Sequence, residues 1–243
     1  MLKPRLSVQG EISGYTPGSV INRHRLEGQV HVSAKPFLLE RAPLVGQFVR
    51  LEPYGDANRA EVQSALDCDH EAWLLFSMSG QGAHFDAWWA NIGQQVHAAR
   101  SHGFAIRDLS TGRVVGTSSF LNIRPERQTV EIGATFLHPS ARSGYVNPES
   151  KLLLLQHAFE CGARRVELLT DLRNTRSQAA IAKLGAHREG VMRRDRITWT
   201  GHIRDSVLYA VTDQDWAAVR SILMRRLEAF GWAEPAIHPS IQP

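Results

Sequence analysis

His138-Pro139-Ser140-Ala141-Arg142-Ser143-Gly144-Tyr145-Val146-Asn147-Pro148-Glu149-Ser150-Lys151, continued by Leu152 to Leu155, reads as the end of a strand, a tight loop and the start of a helix. Just upstream, Val130, Ile132, Ala134 and Phe136 alternate with Glu131, Gly133, Thr135 and Leu137, so a period of two places Glu131 on the face opposite the first set. The strand stops at His138-Pro139. Asn147 suits an N-cap, Pro148 suits the first helical position because its missing N–H would have no partner there, and Glu149 complements the positive helix end. A helix from about Pro148 to Glu160 is therefore predicted. The loop before it gathers backbone N–H groups beside Arg142 and a helix N-terminus, an arrangement suited to phosphate, so an anionic cofactor is expected there. Gly144 is expected to take a positive φ in that loop.

Outward from this stretch the pattern stays regular. Gly162 ends the helix, residues 165–170 read as a buried strand, and strand, helix, strand implies a parallel pair. Ser177, Ala180, Ile181 and Leu184 fall on one helical face closed by Gly185, and residues 191–199 and 202–211 form a hairpin around Thr200-Gly201. A last helix, 213–230, is capped by Thr212 or Asp213 and turns Trp216, Val219, Leu223, Leu227 and Phe230 inward. On the N-terminal side come a strand at 47–52, a helix from Asp56 to about Leu66 and a partly aromatic loop over 67–82. Then follow a helix burying Phe85, Trp88, Trp89, Ile92 and Val96, and a hairpin of 104–107 with 114–121 around Thr111-Gly112.

Residues 1–43 show no sustained period and are expected to form a poorly ordered extension, with 44–232 as the folded domain and 233–243 as a loose tail. Val32 is a candidate alternative start. A chain beginning near Lys35 is expected to keep its melting temperature within a few degrees, and a calorimetric scan checks this.

Two blocks taken together resemble the GNAT N-acetyltransferases, in the branch of the ribosomal-protein N-terminal acetyltransferases. One is Val130 to Gly133 with His138-Pro139 and Arg142 to Phe159; the other is Asn174-Thr175-Arg176-Ser177 through Lys183-Leu184-Gly185-Ala186. The resemblance covers residues 44–211. It implies an α/β (α+β mixed) fold: a central mixed, mostly antiparallel twisted sheet with a splayed parallel pair, flanked by helices, the pantetheine arm lying where the strands of Glu131 and Leu168 part. It implies transfer of an acetyl group from acetyl-CoA to a primary amine, at a protein or peptide N-terminus. The alternatives are a small-molecule amine or aminoglycoside as acceptor, or a non-catalytic acyl-CoA-binding module. Carried over by position, Glu131 is the general base and Ser177 the residue serving the departing thiolate. Leu137, His138, Arg142, Ser143, Gly144, Tyr145, Val146, Asn147 and Asn174 are the cofactor-binding residues. The chain departs from the family pattern in two places: Tyr145 and Asn147 stand where small residues are usual after Arg142, and Ile181 stands where many members have a tyrosine.

The 243-residue chain, 43% hydrophobic, is large enough for one full core. No apolar run approaches the roughly 18 residues of a membrane helix, and the first residues lack a signal-peptide pattern, so a cytoplasmic protein without membrane association is expected. Cys68 and Cys161 form no Cys-x-x-Cys pair, and the 11 histidines show no metal-ligand spacing, so no metal is expected. A net charge of +4 favours a polyanionic cofactor, but without a basic stripe interleaved with aromatics nucleic acid is not expected as a partner. Gly-x-Ser-x-Gly and Walker A patterns are absent. The expected assembly is a monomer or homodimer.

Overall fold

Alternating strands and punctuating glycines assemble into one eight-stranded sheet in the computed structural model, which describes residues 36–234. The strands are β1 (Leu44–Val45), β2 (Val49–Pro53), β3 (His102–Asp108), β4 (Val114–Arg124), β5 (Thr129–Leu137), β6 (Arg165–Asp171), β7 (His187–Ile197) and β8 (Ile203–Thr212). Their spatial order is β1-β2-β3-β4-β5-β6-β8-β7, and every neighbouring pair is antiparallel except β5 and β6. The helices are α1 (Asp56–Leu66), α2 (His70–Trp73), α3 (Phe85–His97), α4 (Val146–Glu160), α5 (Thr175–Ala182) and α6 (Trp216–Glu228). A parallel neighbour needs a crossover, and α4 supplies it between β5 and β6. The mixed sheet, its parallel pair and its flanking helices are the architecture expected.

The sheet buries both faces. On one, Leu154 and Leu155 of α4 and Leu223 and Leu227 of α6 pack against Phe104, Ile106, Val130, Ile132 and Val166. On the other, Val62 and Leu66 of α1, Trp73 of α2, and Phe85 and Trp88 of α3 pack against Ala105, Val114 and Phe136. Trp73 stacks on Phe136 with ring centroids 4.7 Å apart. Val130 and Ile132 thus face one layer while Phe136, which simple alternation puts with them, faces the other. The cause is a bulge: the β4–β5 register shifts between Thr117 and Ser119, and Ala134 adopts φ 47°.

Several local boundaries differ from expectation. Helix α4 starts at Val146, two residues before Pro148, because Tyr145 is already helical and its carbonyl accepts from Glu149 N at 3.0 Å. Asn147 is therefore inside the helix rather than its cap. The loop 67–82 contains α2, whose first turn is capped by Asp69 accepting from Ala72 N. Phe230 is largely exposed instead of buried, since α6 ends at Glu228. At the N-terminal side, residues 36–43 belong with the core: Phe37 and Leu39 are buried in it, and Leu38 N donates to Cys161 O. The rest of the expected extension, 1–35, and residues 235–243 of the tail lie outside the described residues.

Candidate active site

The parallel pairing of β5 with β6 lasts only from Thr129↔Arg165 to Glu131↔Glu167. Beyond it the strands part, and a cleft of about 840 Å³ opens between them. Its three regions are positioned by different elements. The loop into α4 brings Arg142, Ser143 and Gly144, and the first turn of that helix brings Asn147; the parted strands bring Gly133 to Leu137 and Leu168 to Asp171, with Asn174 and Ser177 at the start of α5; the far end is bordered by Phe76, Met78, Trp88, Glu131, Arg196 and Arg204. Of the residues expected at the site, Glu131, Ser177, Leu137, Arg142, Ser143, Gly144, Asn147 and Asn174 line one continuous cleft.

His138, Tyr145 and Val146 do not. The His138 ring folds back to accept from Ser140 N, and the Val146 side chain is in the core. The Tyr145 hydroxyl donates to the Asp108 carboxylate, 3.1 Å from each oxygen, while its ring packs on Phe48. The Tyr145 and Val146 side chains face away because the chain has already entered the helix, so any contact from these two must come from their amides.

The anion-binding end is organised by backbone. The amides of Ser143, Gly144 and Tyr145 make no backbone hydrogen bond among the described residues, and the helix N-terminus adds its partial positive charge. The left-handed residue is Ser143, at φ 65°, instead of Gly144, and a Cβ on Gly144 would meet open space. Arg142 is less available than expected. Its Nε donates to Leu137 O at 2.9 Å and a terminal nitrogen pairs with Asp69 at 2.5 Å, so it ties α2 to this loop. Arg176, Lys183 and Arg226 supply further positive charge along the cleft. A polyphosphate with a long neutral arm fits this set: free amides and cations at one end, unpaired strand backbone in the middle.

Glu131 is 3% exposed. Burial raises its pKa above the ordinary carboxylate value, while Arg196, an N–H from Asn122 and Arg204 work against that rise. Asn122 Nδ2 donates to Glu131 Oε2 at 2.6 Å. That contact depends on a bulge in β4, where the register shifts after Leu121 and Asn122 takes φ 49°. Asn174 caps α5 by accepting from Ser177 N at 2.9 Å, which places the Ser177 side chain at the cleft wall.

Sequence reasoning missed three residues of the cleft or its support: Asn122, Lys151 and Arg196. Lys151 is buried on α4 and donates to Thr135 Oγ1 at 2.6 Å and Ser118 Oγ at 3.1 Å. With hydroxyls alone for partners, burial lowers its pKa to about 7. The unfolded chain holds that proton up to about pH 10.4, so it binds more protons than the folded protein between about pH 7 and pH 10. Stability is expected to rise with pH across this window by a few kcal/mol. In Lys151→Met the rise should flatten and the neutral-pH urea midpoint should increase; an unchanged pH slope would show that the ammonium is adequately solvated.

Among the described residues no three His, Cys, Asp or Glu side chains gather as a metal site, and no helix is long and apolar enough to cross a membrane. Residues 49–187 match the family model described as an acetyltransferase (GNAT) domain. Among solved structures, an assigned acetyltransferase from T. thermophilus is 34% identical, covering 76% of this chain and 96% of its own, with a TM-score of 0.68. A GCN5-related N-acetyltransferase from Brucella melitensis is 24% identical over 85% of this chain and 91% of its own, with a TM-score of 0.71. Mycobacterium smegmatis RimJ, solved in complex with CoA-disulfide, is 23% identical over 79% of this chain and 95% of its own, with a TM-score of 0.63. A search of curated proteins returned no match. With over half the chain matched by the family model and the parted strands in place, this protein belongs to the GNAT family of acyl-CoA-dependent N-acyltransferases.

Proposed function

We propose that the protein transfers an acetyl group from acetyl-CoA to a primary amine, with Glu131 as general base. The observation that carries this is the buried Glu131 carboxylate, fixed by Asn122, at the point where the parted strands meet the far chamber of the cleft. The cosubstrate supplies a thioester. The amides of Ser143 to Val146 face its pyrophosphate, and the free backbone of β5 beyond Glu131 pairs with its pantetheine amides. The amine nitrogen attacks the thioester carbonyl, a C–N bond forms, and the C–S bond breaks. One amine proton passes to Glu131, directly or through water, while the thiolate departs with a hydrogen bond from the Ser177 hydroxyl and takes its proton from solvent. With Ile181 on the buried face of α5, Ser177 is the cleft-lining hydroxyl at the start of that helix.

The acceptor reading favoured here is a protein or peptide N-terminus, supported by fold relatives such as the ribosomal-protein-S5-alanine acetyltransferase from Vibrio fischeri, 14% identical with a TM-score of 0.60. A polycationic aminoglycoside is disfavoured by Arg196 and Arg204 at the acceptor end. Incubation with acetyl-CoA and a panel of N-terminal peptides, polyamines and aminoglycosides, followed by thiol release and product mass, tests the reading. CoA binding without thiol release on any amine would convert the protein into a binding module. Ser177→Ala is expected to slow turnover by roughly 10- to 100-fold, since a hydrogen bond to a charged group contributes about 1.5–3 kcal/mol. Steady-state kcat on the best acceptor checks this.

A further inference from the structure

Two arginines at the far end of the cleft enter the chemistry above only through their charge on Glu131. Arg204, on β8, is 5% exposed, yet it has no ion pair among the described residues. Its Nε donates to Ser206 Oγ at 2.9 Å and a terminal nitrogen reaches Ser77 Oγ at 3.4 Å. Arg196 stands directly opposite it in the β7–β8 register. Its Nε is held by Asp195 at 2.6 Å, and its terminal nitrogens have no hydrogen bond among the described residues.

The nearby carboxylates are already engaged. Asp195 also accepts from Ser206 at 2.7 Å, Asp171 is gripped by Arg173 through two nitrogens at 3.0 and 2.8 Å, and Glu131 is bound by Asn122. Burying a guanidinium without a carboxylate is costly, and a second guanidinium across the strand pair adds like-charge repulsion. The sheet is shaped to hold this arrangement: β7 bulges between Met192 and Arg196, Arg194 takes φ 52°, and its N–H is pinned by Asp205 at 2.7 Å. Bulges re-aim the side chains that follow them, and here Arg196 follows, bordering the cleft. A paired guanidinium site with committed neighbours is complementary to an incoming anion.

Building on the acetyl-transfer reading, we propose that Arg196 and Arg204 bind an acidic group of the acceptor, so that the enzyme selects amines carrying an anionic group close to the reacting nitrogen. Glu131, on the same chamber, then receives the proton from an amine whose acidic neighbour is anchored by the arginines. Anchoring also fixes the distance between the amine and the thioester.

The test compares matched acceptors on the full-length chain with acetyl-CoA, by thiol release and product mass. Peptides starting with Asp or Glu are set against those starting with Asn or Gln; free β-alanine against its amide; phosphoethanolamine against ethanolamine. In at least one set the acid should exceed its neutral counterpart about tenfold or more in kcat/KM, and the set that does so identifies whether the anion belongs to a peptide side chain, a small amino acid or a phosphate. Arg196→Gln and Arg204→Gln should bring that ratio near one, chiefly through KM, and Arg196→Glu should favour the neutral member. Calorimetric CoA affinity confirms that each variant is folded; if Arg204→Gln does not fold, the two Arg196 variants decide. Equal use of acid and neutral amines by the wild type overturns the inference and leaves acetyl transfer standing. CoA binding with no amine acetylated overturns both.

Discussion

Glu131→Gln is expected to lower kcat by roughly 10²-fold or more while leaving affinity for CoA near the wild-type value. The substitution keeps the size of the side chain and its hydrogen bond from Asn122 within reach, and removes basicity. Affinity is the internal control, because the anion-binding amides lie just before and at the start of α4, away from Asn122 and Glu131. Stability is a second control. The folded protein holds the Glu131 proton to higher pH than the unfolded chain does, because burial disfavours the charged carboxylate. That contribution to stability is present at acid pH and is lost as pH rises through the raised pKa, so at neutral pH the Gln variant should be no less stable than wild type. The same shift sets the pH profile. Wild-type kcat/KM should climb along a limb lying above the ordinary carboxylate range, and the variant should lack that limb. Alkaline solution should partly rescue Glu131→Gln, since a deprotonated amine no longer needs the base, and should do less for Ser177→Ala. Full activity of Glu131→Gln at neutral pH on the best acceptor would make Glu131 structural and leave the proton to water or a backbone carbonyl.

What the sequence made legible follows from which physics is local. Turn positions that demand a left-handed backbone were readable where glycine fills them: Gly112, Gly185 and Gly201 have φ of 69°, 89° and 81°. Periods of two and 3.6 located most strands and helices, and the order strand, helix, strand implied the β5–β6 pair. The site was harder because its shape depends on bulges at residues other than glycine. Asn122, Ala134 and Arg194 all adopt positive φ beside register shifts. The first directs an amide at Glu131, the second turns Phe136 onto Trp73, and the third precedes Arg196 at the chamber wall. Period-two reasoning assumes an unbroken pleat, so it fails where these bulges occur. Ser143 misled in the same way, taking the conformation that Gly144 was expected to adopt. The burial of Lys151 and Arg204 was invisible for another reason. A charged residue in an amphipathic pattern defaults to solvent, and its burial is a property of the assembled layers.

Glu149→Ala is expected to cost roughly 3–5 kcal/mol of stability, which for a folded region of this size means a fall in Tm of about 6–20 °C. In sequence, Glu149 reads as a first-turn acid complementing the helix end. In the fold it is 1% exposed and binds a neighbouring turn: Oε1 accepts from Gln47 N at 2.8 Å, and Oε2 accepts from Phe48 N at 2.8 Å and Val49 N at 2.7 Å. The turn closes tightly around the carboxylate, since a Cβ on Gly46 would lie 2.5 Å from the carboxyl carbon. Truncation leaves three amides at the entrance of β2 without their acceptor, and each such loss costs about 1–3 kcal/mol when water cannot replace it. Relief of the carboxylate's own burial cost offsets part of the sum, which sets the lower end of the range. Glu149→Gln keeps one carbonyl oxygen but turns an NH₂ toward the amides, so it should lose a substantial fraction of the same stability. The effect should reach the cofactor as well. Glu149 stands three residues into the helix whose N-terminus presents the amides of Ser143 to Val146, and freeing that turn from β2 loosens the anion site. A several-fold rise in the CoA dissociation constant is therefore expected at temperatures where the variant remains folded. A Tm within about 2 °C of wild type would show that water satisfies the three amides and that the carboxylate does not hold α4 to the sheet.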